Sequence, residues 1–282
     1  MLDLHAHILP GLDDGAISLA ESVLMGKKLA DLGFTGVVGT PHLRLEGKQD
    51  PGLKGEAIRR KARALNQALE EKKIALEVVA GAELMYRPGL VEVLEKRGFY
   101  PTLGESQYLL LELPFFQPLP PRFQQDLFLL QTRGYRPVLA HPERNLCFLQ
   151  SPQLLYGLAQ QGLLFQVTLA SLTGHLGRES RRLALELVQG GLATFAGTDA
   201  HDHKDERLDQ VPRALEVLGE LGGEELTARL IGGNARRALA GEHLEQVEVS
   251  PEEEPVPGRR AAAPAFFRKI LQRKKRDQQP RV

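Results

Sequence analysis

The first fifteen residues read Met1-Leu-Asp-Leu-His5-Ala-His7-Ile-Leu-Pro-Gly-Leu-Asp13-Asp14-Gly15. A short apolar strand leads into a His-x-His pair and then into a turn with two aspartates. Alternate side chains of a strand share one face, so His5 and His7 point the same way, about 7 Å apart along the chain. Two such imidazoles can hold one metal ion. A strand that merely ends in two polar residues would look the same, so the rest of the chain must decide.

The composition is that of an ordinary globular chain without a net charge. Of 282 residues, 42% are hydrophobic and 26% charged, and 36 basic residues balance 36 acidic ones. The chain is long enough for one large domain and has no overall attraction to nucleic acid. It contains no apolar run near the roughly 20 residues that span a bilayer, and no leader pattern precedes the first strand. With a single cysteine, an internal disulfide framework is excluded. We therefore expect a cytoplasmic location.

Strand and helix patterns alternate along most of the chain. The predicted strands are Leu2–His5, Thr35–Thr40, Leu76–Ala80, Tyr108–Glu112, Pro137–Ala140, Leu164–Leu169 and Ala193–Gly197. The predicted helices are Ser18–Leu32, Glu56–Lys73, Pro88–Arg97, Arg122–Arg133, Pro152–Gln161 and Gly177–Gln189, followed by two or three closing helices from Arg207 to about Ala240. A mobile loop is expected over Arg44–Gly55.

Seven strands, each followed by a helix, predict an α/β fold with parallel pairing and right-handed crossovers. Such a chain closes, or nearly closes, into a (βα)7 barrel. An open doubly wound sheet is the structural alternative. The glycine-rich phosphate fingerprint typical of that fold does not follow the first strand.

The composition changes at the end of the chain, from Gln246 onward. Prolines surround Glu252-Glu-Glu254, and the residues from Arg259 on are mainly basic. Four apolar residues would share one face of a helix over Ala265–Arg276, namely Phe266, Phe267, Ile270 and Leu271. We place the barrel in residues 1–245. Residues 246–282 are either a disordered tail or a basic amphipathic segment that docks on an anionic membrane or a partner.

Histidines and acids gather where the predicted strands end, which is where active sites of parallel βα barrels lie. Each of these residues alone could be a cap or a core polar group. Buried acids at the ends of apolar runs are costly unless they are paired. Together they predict a multinuclear metal site, with the candidate ligands His5, His7, Asp14, His42, Glu83, Glu112, His141, Asp199 and His201.

These residues lie in stretches that resemble the PHP (polymerase and histidinol phosphatase) phosphoesterases. The chain looks most like the manganese-dependent protein tyrosine phosphatases of bacterial capsule and exopolysaccharide operons. The matching stretches, all within residues 1 to about 240, are His5-Ala-His-Ile-Leu-Pro-Gly-Leu-Asp-Asp-Gly15, Thr40-Pro-His42, Gly81-Ala-Glu83, Leu111-Glu-Leu-Pro114, Ala140-His-Pro-Glu-Arg-Asn145 and Gly197-Thr-Asp-Ala-His201. The resemblance implies a distorted (βα)7 barrel with a trinuclear metal site at the C-terminal ends of the strands.

The resemblance also implies how three divalent ions share the ligands. One ion would be held by His5, His7, Glu83 and Asp199. A second would be held by Glu83 as a bridge, Glu112 and His141. A third would be held by Asp14, His42 and His201, with Asp13 as the alternative to Asp14. The implied metal is Mn²⁺, and Fe²⁺ or Zn²⁺ accept similar donors. No ligand position is matched by His175, His203 or His243.

The implied activity is hydrolysis of phosphotyrosine, on a tyrosine kinase that regulates capsular or exopolysaccharide synthesis. Arg144 and Arg207 are expected to act in catalysis by adding positive charge for the phosphoryl oxygens. His201 or water would protonate the leaving phenolate. Nucleic acid is not an expected partner, and the basic tail allows peripheral contact with the inner face of the membrane.

Two alternative functions stay open. One is a PHP phosphatase of a small phosphomonoester such as histidinol phosphate, which would use the same metals. The other is a non-catalytic scaffold that presents a bound metal and recruits partners through its tail. A cysteine-dependent tyrosine phosphatase is disfavoured, because such enzymes need an arginine six residues after the cysteine and Gln153 holds that position after Cys147. We expect Cys147 to be a packing residue.

Overall fold

The structure, a computed structural model, describes residues 1–44, 51–97 and 102–244. For residues 51–54 and 95–97 it describes the backbone alone. The predicted tail, residues 246–282, lies outside the described residues. Of the predicted loop Arg44–Gly55, residues 45–50 also lie outside them.

All strand pairs in this part of the chain are parallel, as the alternation of strands and helices predicts. The strands are β1 (Leu2–Ala6), β2 (Gly36–Gly39), β3 (His42–Leu43), β4 (Glu77–Ala80), β5 (Glu83–Met85), β6 (Tyr108–Glu112), β7 (Arg136–Ala140), β8 (Leu164–Thr168) and β9 (Ala193–Gly197). One sheet has the order β1-β2-β4, and the other has the order β3-β5-β6-β7-β8-β9. The predicted α/β fold is therefore confirmed.

The second and third predicted strands, observed as β2 and β4, are each followed by a short additional strand. Thr40 and Pro41 separate β2 from β3, and Gly81 and Ala82 separate β4 from β5. Pro41 has no N–H to donate to a ladder, which interrupts the pairing at this point. Two backbone hydrogen bonds cross the gap, from Gly81 N to Gly39 O (3.0 Å) and from Glu83 N to Pro41 O (3.1 Å). The two segments thus continue side by side across the gap, and β3 and β5 belong to the second sheet.

The ends of β1 and β9 lie next to each other. Asp199 N donates to His5 O and His7 N donates to Ala200 O, both at 2.8 Å. Ala6 and Ala200 form an isolated parallel bridge. These contacts bring the first His-x-His pair beside the residues that follow the last strand.

Helices follow most strands, as predicted. They are α1 (Leu19–Asp31), α2 (Pro51–Glu71), α3 (Leu90–Arg97), α4 (Phe123–Thr132), α5 (Leu146–Gln150), α6 (Gln153–Gln160), α7 (Leu169–Thr173), α8 (Arg178–Gln189), α9 (Glu206–Asp209), α10 (Val211–Ala228) and α11 (Asn234–Leu239). The N-cap half of the predicted capping box is formed at the start of α1, where Ser18 Oγ accepts from Glu21 N at 3.2 Å, while the Glu21 carboxylate accepts from Ile17 N at 3.0 Å. Within the described residues, no helix combines the length and apolar character needed to cross a membrane.

Two helix predictions need correction. Helix α2 begins at Pro51, inside the stretch predicted as a loop. Proline suits the first helical position because its missing N–H has no intrahelical partner there. Helices α5 and α7 were not predicted, since five residues are too few to show a helical apolar period.

The hydrophobic core lies between the strands and the last helix. Its fully buried members include Leu4, Val38, Leu110, Val138 and Phe195, each from a different strand. Close packing of such residues leaves little freedom to shift one strand along another. The core thereby fixes the strand ends, where the candidate ligands lie.

Candidate metal centre

The nine predicted ligands lie near strand ends. Glu112 ends β6 and His5 is next to the last residue of β1, whereas His42 and Glu83 begin the short strands β3 and β5. The others follow a strand within four residues, except Asp14, which lies eight residues after β1. Parallel pairing carries these positions to one edge. The structure brings the nine side chains together there, in neighbouring groups of potential ligand atoms.

The first predicted set converges on one point. His5 Nε2 and His7 Nε2 are 3.2 Å apart. Each of these nitrogens lies 3.4 Å from Glu83 Oε2 and 3.4 Å from Asp199 Oδ1. With His141, these four residues form what we call the buried group, because their side chains are at most 2% exposed. A cation held here would contact two imidazoles and two carboxylates.

The second predicted set is spread over two places. Glu83 Oε1 lies 2.9 Å from His141 Nε2, and its other oxygen lies 2.9 Å from His42 Nδ1. Glu83 therefore stands between two histidines, as a bridging carboxylate would. Glu112 Oε2 lies 3.4 Å from His42 Nδ1. Glu112 thus groups with His42 and Glu83, while His141 groups with His5 and Asp199.

The third predicted set forms what we call the open group: Asp14, His42 and His201. Asp14 Oδ1 lies 3.6 Å from His42 Nε2 and 3.8 Å from His201 Nε2. The Asp14 side chain is 70% exposed, and the two rings are about one-fifth exposed. This end of the centre is open to solvent.

Asp13, the alternative to Asp14, has a different position. Its Oδ2 accepts hydrogen bonds from His7 Nδ1 (2.6 Å) and from the His42 backbone N–H (2.8 Å). A carboxylate on the far nitrogen of a ligating histidine fixes its tautomer and orientation. Gly15 permits this turn, because a Cβ there would lie 2.2 Å from His7 O. The arrangement favours Asp14 as the ligand and Asp13 as the residue that orients His7.

Gln166 plays the corresponding part for His5 and was missed from the sequence. His5 Nδ1 lies 2.9 Å from Gln166 Oε1, so Nε2 is left to face the buried group. Gln166 is fully buried on β8. The only signal in the sequence is an amide inside the apolar run Leu164-Phe-Gln-Val-Thr168.

Asp3 was also missed, and it joins the two strands that carry most of the buried group. Its carboxylate accepts from Thr198 Oγ1 (2.5 Å), Thr198 N (3.1 Å) and His5 N (3.2 Å). Burial raises the pKa of Asp3 to about 6, although its hydrogen bonds with Thr198 oppose this change. The contacts fix the spacing between His5 and Asp199.

The two predicted arginines meet at one carboxylate oxygen. Arg144 Nη1 donates to Asp199 Oδ2 at 2.5 Å, and Arg207 Nη1 donates to the same oxygen at 2.8 Å. Arg207 is also held by Asp205, another residue that sequence reasoning missed, which accepts from its Nε and from the His201 backbone N–H. Both guanidinium groups are partly exposed beside the buried group. They are therefore placed to contact an anion that enters the centre.

Charge interactions keep the buried carboxylates ionised. Burial alone would raise the pKa of Glu83, but the neighbouring histidines, His5 first, hold it well below its usual value. The pKa of Asp199 is likewise lowered against the effect of burial, mainly by His5. Burial and the nearby His7 lower the pKa of His201 to about 4. A neutral His201 at pH 7 suits a metal ligand better than a proton donor.

The residues present fit divalent ions. Glu83 Oε2 and Glu112 Oε2 are buried against histidine nitrogens and have no hydrogen bond among the described residues. Buried oxygens without a partner are costly, and a cation would satisfy them. Mixed imidazole and carboxylate donors are accepted by Mn²⁺, Fe²⁺ and Zn²⁺. His141 and Asp199 also have φ values of 34° and 53°, a left-handed conformation that is uncommon for non-glycine residues and is often found at active sites.

The remaining histidines and the cysteine lie apart from these ligands. His175 pairs with Glu206 (3.8 Å), His203 lies 3.7 Å from Glu21, and His243 hydrogen-bonds Arg136. Among the described residues, none of the three shares a ligand group with the nine predicted residues. Cys147 is half-buried, and burial raises the pKa of its thiol, which disfavours a thiolate nucleophile.

Parallel strands whose carboxyl ends surround one centre with histidines and carboxylates define a metal-binding protein of the α/β class. The sequence identifies the particular family. The chain belongs to the CpsB/CapC family of capsular polysaccharide synthesis, whose sequence model matches residues 1–240. The resemblance to tyrosine phosphatases of capsule operons is thereby confirmed at the level of the family.

Individual relatives agree with this membership. The chain is 37% identical over 229 residues to the tyrosine-protein phosphatase YwqE of Bacillus subtilis, covering 80% of this chain and 87% of the relative. It is 35% identical over 201 residues to CapC of Staphylococcus aureus, covering 71% and 77%. A solved structure from work on YwqE of Bacillus subtilis and CpsB of Streptococcus pneumoniae, described as metal-dependent tyrosine phosphatases, matches with a TM-score of 0.79 and 34% identity, covering 87% of this chain and 97% of that one.

Proposed function

We propose that this protein is a metal-dependent protein tyrosine phosphatase. The observation that carries the proposal is the convergence of His5, His7, Glu83 and Asp199 on one point, with Arg144 and Arg207 beside them. The relatives named as tyrosine-protein phosphatases support the choice of substrate. The family description links the activity to capsular polysaccharide synthesis.

We infer that the strands close into a distorted (βα)7 barrel with a trinuclear metal site. The hydrogen bonds between β1 and the residues after β9 support closure. The three neighbouring ligand sets support three ions, with Mn²⁺ as the first choice and Fe²⁺ or Zn²⁺ as alternatives. The barrel would occupy residues 1–245, with residues 246–282 as a separate tail.

The residues of the chain have defined parts in this reaction. When bound, the ions would supply positive charge for the phosphoryl oxygens and would lower the pKa of water from 15.7 to about 7, giving a nucleophile at neutral pH. Arg144 and Arg207 bind the phosphoryl oxygens, because a planar guanidinium matches that geometry. Asp205 and Asp199 hold Arg207 in place.

The leaving group needs little help from the protein. A tyrosine phenolate has a conjugate-acid pKa of about 10 and can leave without a strong general acid. His201, predicted from the sequence as a ligand and as a catalytic proton donor, is placed with Asp14 and His42 and is neutral at pH 7. We therefore assign His201 to the ligand role and protonation of the phenolate to water.

The substrate would be a phosphotyrosine protein, which we take to be a tyrosine kinase that regulates polysaccharide synthesis. Such a partner places the phosphatase in the cytoplasm, at the inner face of the membrane. The basic tail would contribute peripheral contact with anionic lipid.

A comparison of substrates tests this function. The protein is loaded with Mn²⁺, Fe²⁺ or Zn²⁺ in turn, and kcat/KM is measured on a phosphotyrosyl peptide and on histidinol phosphate. We expect at least a tenfold preference for the peptide. A strong preference for histidinol phosphate contradicts the proposal in favour of a small-molecule phosphatase. Fewer than two bound ions and no turnover with any metal would point to the scaffold.

A further inference from the structure

Two phenylalanines follow the strand that carries Glu112. The Phe115 ring centroid lies 5.3 Å from that of His141, and Arg144 Cζ lies 4.7 Å from the Phe115 centroid. Phe116 is 84% exposed, and its ring meets Phe115 edge to face at 6.4 Å. A continuous aromatic surface thus runs from the buried group to solvent.

The segment that carries these rings is fixed to the end of β7. Asn145 Nδ2 donates to Leu113 O (3.0 Å) and Pro114 O (3.3 Å). Leu146 N donates to Phe115 O at 2.8 Å. The same short segment, Arg144–Leu146, therefore positions both an arginine of the site and the aromatic pair.

Substrate chemistry gives this surface a use. In phosphotyrosine a single ester oxygen joins phosphorus to the phenol ring, so the ring must lie next to the group that binds the phosphoryl oxygens. Phe115 occupies that place, because its face is against Arg144. Aromatic rings prefer edge-to-face or offset contacts. An alkyl phosphate has no aromatic ring next to its phosphoryl group and so cannot make this contact with Phe115.

We propose that Phe115 binds the phenol ring of the substrate and that Phe116 contacts the peptide beside the phosphotyrosine. This inference rests on the proposed function and deepens it, because it names the residues that select a tyrosyl peptide over an alkyl phosphate. Phe128 offers a matched control. It is also an exposed phenylalanine, at 63%, but it lies on helix α4 rather than after a strand end.

The test uses the metal-loaded full chain and ratios of kcat/KM. The substrates are a phosphotyrosyl peptide, p-nitrophenyl phosphate and β-glycerophosphate. For Phe115→Leu we expect the ratio of p-nitrophenyl phosphate to β-glycerophosphate to fall about fivefold, the size of an aromatic pair contact. For Phe116→Ala we expect the ratio of peptide to p-nitrophenyl phosphate to fall about threefold. Phe115→Tyr keeps a ring and should keep the first ratio.

A binding measurement separates recognition from turnover. Titration with a peptide that carries phosphonomethyl-phenylalanine, which is not hydrolysed, should show binding about threefold to fivefold weaker for Phe115→Leu and for Phe116→Ala. Phe128→Ala should match the wild type in every ratio and in Kd. An equal loss on all substrates in Phe115→Leu would mean that the ring only supports Arg144, and unchanged ratios would also overturn the inference.

These outcomes are distinct from failure of the proposed function. If the wild type prefers β-glycerophosphate or histidinol phosphate to the phosphotyrosyl peptide, the function itself is wrong. If the wild type prefers the phosphotyrosyl peptide and the variants keep its ratios, only the aromatic subsite is wrong.

Discussion

The buried group and the open group of the metal centre are built in different ways. In the buried group the rings and carboxylates are at most 2% exposed, and His5 and His7 are oriented on their far nitrogens by Gln166 and Asp13. In the open group Asp14 is 70% exposed and extends from a turn. The fold itself therefore sets the geometry of the buried group, whereas the open group depends on side chains that solvent and substrate can reach.

The two groups should therefore differ in metal affinity and in access for substrate. Buried carboxylate oxygens without hydrogen bonds are stabilised most by a bound cation, because no water molecule can reach them in its place. Exposed donors gain less, because water competes for them. We expect ions to be tightly held at the buried group and more readily exchanged at the open group.

The largest effect is expected from Glu83→Gln, which removes the carboxylate between His42 and His141. The ligand sets of two ions lose a charge, so kcat/KM on the phosphotyrosyl peptide should fall by roughly a thousandfold. Metal analysis should find fewer ions per chain, while circular dichroism stays near wild type. Full metal content together with a rate within tenfold of wild type would show that the buried group does not depend on this carboxylate.

A smaller, rescuable effect is expected from Asp14→Asn in the open group. Activity at limiting Mn²⁺ should fall roughly tenfold to a hundredfold, with most of it returning at high Mn²⁺. Asp13→Asn is the matched variant, because it disturbs the orientation of the buried His7. Its loss should not be rescued by metal. The opposite pattern, with only Asp13→Asn rescued, would reverse our assignment of the two aspartates.

A change of about tenfold is expected from Gln166→Leu, since the partners of ligating histidines typically contribute tenfold to a hundredfold in affinity or activity. Without Gln166 Oε1, the His5 ring loses the acceptor for its Nδ1. Competition with a chelator should show faster metal loss, and Gln166→Glu, which keeps an acceptor, should restore most of it. No change in metal retention would show that packing alone orients His5.

The smallest effect concerns the metal-free protein and pH. Burial alone would lower the pKa of His42, but Glu112 and Glu83 raise it from 6.5 to about 10. Because the folded pKa is above the unfolded one, this stabilisation is full below pH 6.5 and is lost as the pH rises through about 10. The Tm of the metal-free protein should fall by a few degrees from about pH 7 to 10. Glu112→Gln should flatten that slope, and an unchanged slope would argue against this pairing.

The sequence reveals the candidate ligands more readily than the residues that orient them. His-x-His, Thr-Pro-His and Thr-Asp-Ala-His stand at the ends of apolar runs, so their place at one edge follows from parallel pairing. Gln166 and Asp3 act through partners that are far away along the chain, and Asp205 acts through the nearby His201 and Arg207. Their residue types alone do not reveal those partners.

The prediction of strand boundaries is limited for a related reason. Pro41 is visible in the sequence as an interruption of its strand, but the interruption at Gly81 depends on pairing with the neighbouring strand. The start of helix α2 at Pro51 follows Pro's preference for a first turn, which competed with the loop signal of Gly52 and Gly55.

The link between the first and the last strand has a consequence for synthesis of the protein. Asp3 and Thr198 are 195 positions apart along the chain. The backbone bond from Asp199 N to His5 O, which sets these two residues side by side, spans a similar distance in sequence. The ribosome releases the amino-terminal ligands first, and contacts across such a distance form late in folding. The buried group can be completed only after most of the chain has emerged, so a truncated translation product would carry His5 and His7 without a finished site.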